Sequence, residues 1–254
     1  MASYRTAQAV VSVGGIEYRM RTLSDRQQFD DTDGAAAQAG ICSASWSLFG
    51  QLWPAGWGLA QAMATQPVAG LRILEIGCGL ALASLVLARR GADITASDHH
   101  PLAERFLRAN ARANALRMPI YHRLPWSAND PALGRFDLII GADLLYERDH
   151  PGLLAGLVSR HAAPRALVLL ADPGRGNCAR LVHALAHLGF QLRTMPFQCR
   201  PGVLALGEIA QEDEHPPTGH RPVGGADFDM PGAAVTPSMD GFELGAAGFD
   251  DAPQ

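Results

Sequence analysis

Residues 72–82 read RILEIGCGLAL, an apolar run that breaks at Gly77-Cys78-Gly79 and then resumes. The segment Arg72–Ile76, apolar except at Arg72 and Glu75 and β-branched at Ile73 and Ile76, predicts a strand buried on both faces. The glycines at its end let the backbone turn sharply and come close to a ligand. A helix is predicted over Leu80–Arg90, stopped by Gly91, and its first turn presents unpaired N–H groups. A dinucleotide fingerprint of the form G-x-G-x-x-G requires glycine at 82, where Leu82 stands. The pattern is instead E-x-G-x-G, with Ala81 in place of a third glycine. On this stretch alone, a tight turn without a ligand stays an open alternative.

The alternation continues downstream. Strands are expected at Asp93–Ser97, Ile120–Arg123, Phe136–Gly141 and Ala166–Ala171. Helices are expected at Pro101–Leu116, with Leu102, Phe106, Ala109 and Ala113 on one face, and at Pro151–His161, with Leu153, Leu154, Leu157 and Val158 inward. A further helix runs from an Asn177 cap through Leu188, ended by Gly189. Phe190–Phe197 and Val203–Ile209 suggest a closing hairpin around Pro201-Gly202. Upstream, Val10–Val13 and Ile16–Arg21 flank Gly14-Gly15 as a hairpin, and Gly56–Ala64 reads as a short helix. The expected fold is α/β: a Rossmann-like, seven-stranded, mostly parallel sheet with helices on both faces. Three regions follow: an N-terminal extension (1–66) packing its hairpin and helix on the core, an α/β domain (67–210) and an acidic tail (211–254).

Composition narrows the function. The 254 residues are 48% hydrophobic and 18% charged, ordinary for a globular protein. The tail holds nine acidic residues against Arg221 alone and is rich in Gly, Pro and Ala, so it is expected to be disordered. Phe228, Phe242 and Phe249 sit beside acids there, which leaves a docking motif open against a plain solvated tail. The rest of the chain is only mildly positive, which argues against a nucleic-acid partner. No run of eighteen apolar residues occurs, and Met1–Met20 has no basic segment leading into an apolar one; no membrane association is expected and the cytoplasm is the expected location. All 21 basic residues are arginine, so no lysine can act as a base. Cys42, Cys78, Cys178 and Cys199 form no CxxC pair, the nine histidines are scattered, and no metal site is expected.

Three further segments point to the carboxyl ends of the strands, where ligands of such sheets bind. Asp98 closes the second strand about twenty residues after the glycines, the place of an acid that accepts hydrogen bonds from ribose; a turn or cap residue is the plainer reading. Phe136–Tyr146 reads FDLIIGADLLY, so Asp143 and Tyr146 emerge just past a buried strand, able to hold an amine or, equally, to cap the next helix. Asp172–Asn177 lies on the same side, as a substrate rim or a loop leading to the cap. Trp46, Phe49, Trp53 and Trp126 could supply a wall for an adenine ring and an aromatic face for a sulfonium cation, or simply fill the core.

Taken together, these residues resemble a known family. Leu74–Gly79 looks like motif I of class I S-adenosylmethionine (SAM)-dependent methyltransferases. FDLIIGADLLY resembles the D-x-x-Y motif of the family-16 protein-lysine methyltransferases, which include enzymes acting on Hsp70-type chaperones. Leu52-Trp53-Pro54 resembles that group's upstream tryptophan segment, and Ala171–Arg175 resembles its members acting on the electron-transfer flavoprotein β-subunit. The resemblance covers roughly residues 46–197. It implies SAM as cofactor, with Glu75 part of motif I, Gly77, Cys78 and Gly79 around the methionine part, and Asp98 on the ribose. It implies Trp126 near the adenine and Trp53 and Ala142 lining the cofactor. Asp143 and Tyr146 would face the acceptor amine, and a protein would be the substrate. Two departures stand out: Ala81 replaces a common glycine, and Ser127 follows Trp126 where the family often has glycine. The implied reaction is in-line methyl transfer to nitrogen. A small-molecule N-methyltransferase of the same fold and a catalytically silent SAM-binding module remain alternatives.

Overall fold

The computed structural model describes residues 4–174, 176–199 and 202–211. Strands β1 (Thr6–Val13) and β2 (Ile16–Leu23) form an antiparallel hairpin. Its turn is Gly14-Gly15, both at positive φ (58° and 77°), as a two-residue hairpin turn requires. Helices α1 (Ala35–Gln38) and α2 (Ser43–Trp46) and a 3-10 turn at Ser47–Gly50 follow. The sequence pattern predicts none of these, because a single turn carries no period. Helix α3 (Pro54–Thr65) then starts with Pro54 in its first turn, where a missing N–H costs nothing.

The main sheet contains β3 (Arg72–Ile76), β4 (Asp93–Asp98), β5 (Ile120–Arg123), β6 (Phe136–Ala142), β7 (Ala162–Asp172), β8 (Phe190–Cys199) and β9 (Gly202–Gln211). Between them lie α4 (Leu82–Arg89), α5 (Ala103–Ala113), α6 (His150–His161) and α7 (Cys178–Ala186). The strand order is β5-β4-β3-β6-β7-β9-β8. The first five strands are parallel, and β9 runs antiparallel between β7 and β8. This is the expected Rossmann-like, seven-stranded, mostly parallel sheet. Of the expected acidic tail, all but Gln211 lies outside the described residues, as does Arg175.

Alternation along the buried strands divides the core into two layers. Ile73, Leu138, Ile140 and Leu169 pack with α3, α4 and α5. Their neighbours Leu74, Ile76, Ile139 and Val168 pack with α6 and α7 on the opposite face. A two-residue period sends successive side chains to opposite faces, so both must be apolar.

Two helix faces differ from expectation. In α5 the buried stripe is Ala103, Phe106, Leu107, Asn110 and Ala111, whereas Ala113 is exposed. The rotation follows from Asn110, a polar residue that is fully buried because its amide is satisfied on both sides. Its Oδ1 accepts from the Arg21 N–H (2.6 Å) and its Nδ2 donates to the Leu80 carbonyl (3.2 Å). Asn114 exchanges two bonds with the backbone of Arg19, so α5 covers the edge of β2 with amide side chains. In α6, Leu153 is only half-buried, while Leu154, Leu157 and Val158 face the core as expected.

Candidate active site

In this sheet the chain steps outward from β3 to β4 and β5, then crosses back to β6 on the other side of β3. The reversal leaves a crevice beyond the carboxyl ends of β3 and β6, where Ile76 pairs with Gly141. A cleft of about 1120 Å³, continuous with solvent, opens there. It gathers the residues that the resemblance implies for the site: Trp53, Glu75, Gly77, Cys78, Gly79, Asp98, Trp126, Ala142, Asp143 and Tyr146.

The glycine turn forms its floor. Gly77 and Gly79 both have left-handed φ (60° and 52°). A β-carbon on Gly77 would lie 2.5 Å from the Leu144 side chain and 3.4 Å from the Trp126 ring. The Cys78 N–H donates to the Ser97 carbonyl (2.9 Å), which ties the turn to β4. Asp98 is buried and organises the turn directly. One carboxylate oxygen accepts from the Gly79 N–H and the other from the His100 N–H, each at 2.8 Å. A carboxylate offers about four lone-pair sites, so two remain for hydroxyl donors.

Glu75 points away from the turn toward α4. Its Oε2 accepts from the Ser84 N–H (3.0 Å) and from the Ser84 hydroxyl. Burial pushes its pKa up to about 7; the Ser84 bonds oppose this and the Asp98 charge adds to it. Because the folded value lies above the ordinary 4.5, Glu75's contribution to stability is full below about pH 4.5 and is lost as pH rises through 7. Wild-type melting temperature is therefore expected to fall between pH 5 and pH 8. Glu75→Gln keeps an acceptor for Ser84 and should remove a part of that fall on the order of 2–3 kcal/mol. Melts at several pH values check this, and parallel curves for the two proteins would contradict it. Beside Glu75, burial and the two nearby acids push the Cys78 thiol well above its usual range, so it is a packed neutral group.

The opposite wall is the segment after β6. Ala142 ends the strand, and the Asp143 N–H donates to the Ala171 carbonyl (2.9 Å). Asp143 adopts a left-handed φ of 57°. The next side chain, Leu144, fills the space above Gly77 and Gly141, so this segment packs directly on the glycine turn. Tyr146 is 40% exposed at the lip. The structure also explains Asn177, which the sequence pattern makes a helix cap. It makes no side-chain cap; its amide donates instead to the Leu145 and Glu147 carbonyls, each at 3.0 Å, and braces the segment carrying Tyr146. Asp172 caps a turn by accepting from the Gly174 N–H (2.9 Å).

The aromatic residues separate into two roles. Trp46 is fully buried among Tyr4, Phe29, Phe49 and His100 and does not line the cleft. Trp53, Trp126 and Phe49 do line it. Two histidines that sequence reasoning passed over belong to the site. His100 stacks on Phe49 at 3.7 Å, and burial drives its pKa down to about 3, so the ring is neutral. His150 binds the Leu144 carbonyl through Nδ1 (2.6 Å) and stands edge-on between Trp126 (4.9 Å) and Tyr146 (4.4 Å). Helical spacing cannot reveal either residue; the available signal was position, His100 just after Asp98 and His150 four residues after Tyr146. Glu147, Asp149 and His150 bring their polar atoms within 4.8 Å of one another, so an acidic rim adjoins Tyr146.

A family model described as lysine methyltransferase matches residues 43–178, more than half of the chain. The chain belongs to this lysine methyltransferase family. SAM is accordingly its methyl donor. The electron transfer flavoprotein beta subunit lysine methyltransferase of Rattus norvegicus is 29% identical over 178 residues, 67% of each chain. Protein N-lysine methyltransferase METTL21A of Danio rerio is 37% identical over 95 residues, 35% of this chain and 43% of that protein. Among solved structures, a 16S rRNA N2 G1207 methyltransferase from T. thermophilus, in complex with AdoMet and guanosine, aligns with a TM-score of 0.53 at 20% identity. That alignment covers 81% of this chain and 50% of the rRNA enzyme. A TehB-like SAM-dependent methyltransferase from Corynebacterium glutamicum aligns at 0.51 and 16% identity, covering 70% and 92%. At these identities the structural likeness concerns the fold. The family's matched region, from α2 to the start of α7, contains every described residue that lines the cleft except Ile41.

Proposed function

We propose that this lysine methyltransferase methylates a lysine side chain of a protein, with Asp143 and Tyr146 aligning the amine and the β3–α4 turn holding the cofactor. The observation that carries this reading is the packing of Leu144 on Gly77 and Gly141, which fixes the Asp143–Tyr146 segment against the turn. The residues suit SAM: two glycines without room for a β-carbon, an acid with lone pairs for ribose hydroxyls, and the aromatic ring of Trp126 against the turn. When bound, SAM supplies a methyl group already activated by its sulfonium. The protein's work is then alignment and exclusion of water. Asp98 holds the turn and presents its remaining lone pairs to the ribose, and Trp126 covers the adenine side.

The acceptor must arrive as a neutral amine, although lysine's reference pKa is about 10.4. The apolar surroundings of Trp126, Tyr146 and His150 favour the neutral form by desolvation. Asp143 favours the cation, so its role is to orient the nitrogen and not to remove its proton. The acidic rim of Glu147 and Asp149 complements an approaching cationic side chain. The free thiols of Cys42, Cys78 and Cys178 accord with a reducing compartment, and we assign the enzyme to the cytoplasm on that basis.

Incubation of the purified protein with labelled SAM and a cell lysate tests the substrate class. The expected result is a labelled protein whose mass spectrum places the methyl group on lysine. Label confined to small molecules would replace the protein substrate with a metabolite. SAM binding without any transfer would make the chain a silent binding module.

A further inference from the structure

The charges of the cleft pose a problem for an amino-acid ligand. SAM carries an α-carboxylate, and the ionisable carboxyl groups around the cleft are Glu75, Asp98 and Asp143. Among the described residues, no arginine lines it, and the chain has no lysine. A carboxylate brought into a partly enclosed cleft needs hydrogen-bond donors. Most lining side-chain donors are already engaged. Trp53 donates its indole N–H to the Leu48 carbonyl and Trp57 to the Ser12 carbonyl, both at 2.9 Å. The Ser45 hydroxyl reaches the Cys42 carbonyl (3.2 Å). The His100 Nδ1 accepts from the Leu102 N–H (3.2 Å), and its buried Nε2, on a ring stacked against Phe49 and beside the Trp46 backbone, has no hydrogen bond among the described residues.

Gln51 is different. It lines the cleft, its Nε2 is buried, and that nitrogen makes no hydrogen bond among the described residues. A buried amide N–H₂ without an acceptor is costly, by about 1–3 kcal/mol, unless a ligand supplies the missing partner. Its backbone position is fixed from both sides. Two residues earlier, the Phe49 carbonyl rests on Gly79, where a β-carbon would come within 2.8 Å. Two residues later, Trp53 is anchored to Leu48. The segment between them therefore sits against the glycine turn at Gly79, whereas Leu144 packs at Gly77.

We propose that Gln51 is the side-chain donor that recognises the α-carboxylate of the cofactor's methionine part. The N-terminal segment before α3 is then part of the cofactor site as well as a cover for it, and a neutral amide does there what a cation would otherwise do. This rests on the SAM-dependent reading of the site.

Binding calorimetry with two probes tests it: S-adenosylhomocysteine, which has the carboxylate, and 5′-methylthioadenosine, which shares the nucleoside and thioether but lacks the amino-acid end. Gln51→Leu is expected to weaken S-adenosylhomocysteine about tenfold and to leave 5′-methylthioadenosine within about twofold. Gln51→Glu, nearly isosteric, should weaken S-adenosylhomocysteine further, about a hundredfold, by placing like charges together, again sparing the second probe. Equal losses for both probes would make Gln51 a structural residue and overturn the proposal, and so would unchanged binding of S-adenosylhomocysteine. Failure of the wild-type protein to bind S-adenosylhomocysteine would instead remove the SAM reading itself.

Discussion

Asp143→Asn should reduce kcat/KM for the acceptor at least ~100-fold while leaving S-adenosylhomocysteine affinity within about twofold. Asp143 holds a left-handed φ of 57°, which asparagine tolerates better than other residues with side chains, so the backbone of the segment should survive. The variant loses the negative charge, and with it a charge-assisted hydrogen bond to the approaching amine. Loss of aim is what makes the effect large, because a displacement needs nitrogen, methyl carbon and sulfur in line. Asp143→Gly separates chemistry from strain. It relieves the left-handed conformation, so its melting temperature should match or exceed wild type, yet it should be as inactive as the asparagine variant. Turnover assays with calorimetry on both variants decide the matter: a wild-type rate in either would remove Asp143 from the acceptor site.

How far the sequence discloses this arrangement depends on the kind of signal. Strands β3 and β5 match the sequence reading residue for residue, because each is bounded by glycine, proline or charged residues; β3 is buried in the middle of the sheet, whereas β5 is its half-exposed edge. The convergence of Gly77, Asp98 and Asp143 is likewise legible, since parallel strands carry their carboxyl ends to one side. What escapes is polar burial. Asn110 gives no core signal in the apolar pattern, yet two backbone partners from distant segments make it core. Asn177 is a cap by position and a brace by structure, because the Leu145 and Glu147 carbonyls come from 32 and 30 residues away. His100 and His150 escape for the same reason: their partners are rings and carbonyls brought together only by the fold.

The glycine turn itself yields the other large effect. Gly79→Ala should abolish measurable cofactor binding, with affinity reduced at least ~100-fold, although an alanine already occupies the same conformation two residues away. Ala81 has φ 61° and Gly79 has φ 52°, so conformation alone does not distinguish the two positions. A left-handed alanine costs roughly 1 kcal/mol, and the chain bears that cost at Ala81, whose departure from glycine is a matter of φ more than of size. Space distinguishes them. A β-carbon on Gly79 would stand 2.8 Å from the Phe49 carbonyl oxygen, a backbone atom that cannot swing aside. Either the turn or the Ser47–Gly50 segment must move, and the turn also holds the Gly79 N–H on Asp98 (2.8 Å). Displacing it would disturb the acid, the glycine floor and the Gln51 wall together. Ala81→Gly is the matched control: it should raise stability by up to about 1 kcal/mol and leave binding intact. Calorimetry and thermal melts on the pair test the argument. Normal S-adenosylhomocysteine binding by the Gly79→Ala protein would show that the N-terminal segment yields freely, and the cleft would then be a far looser cradle than its backbone contacts imply.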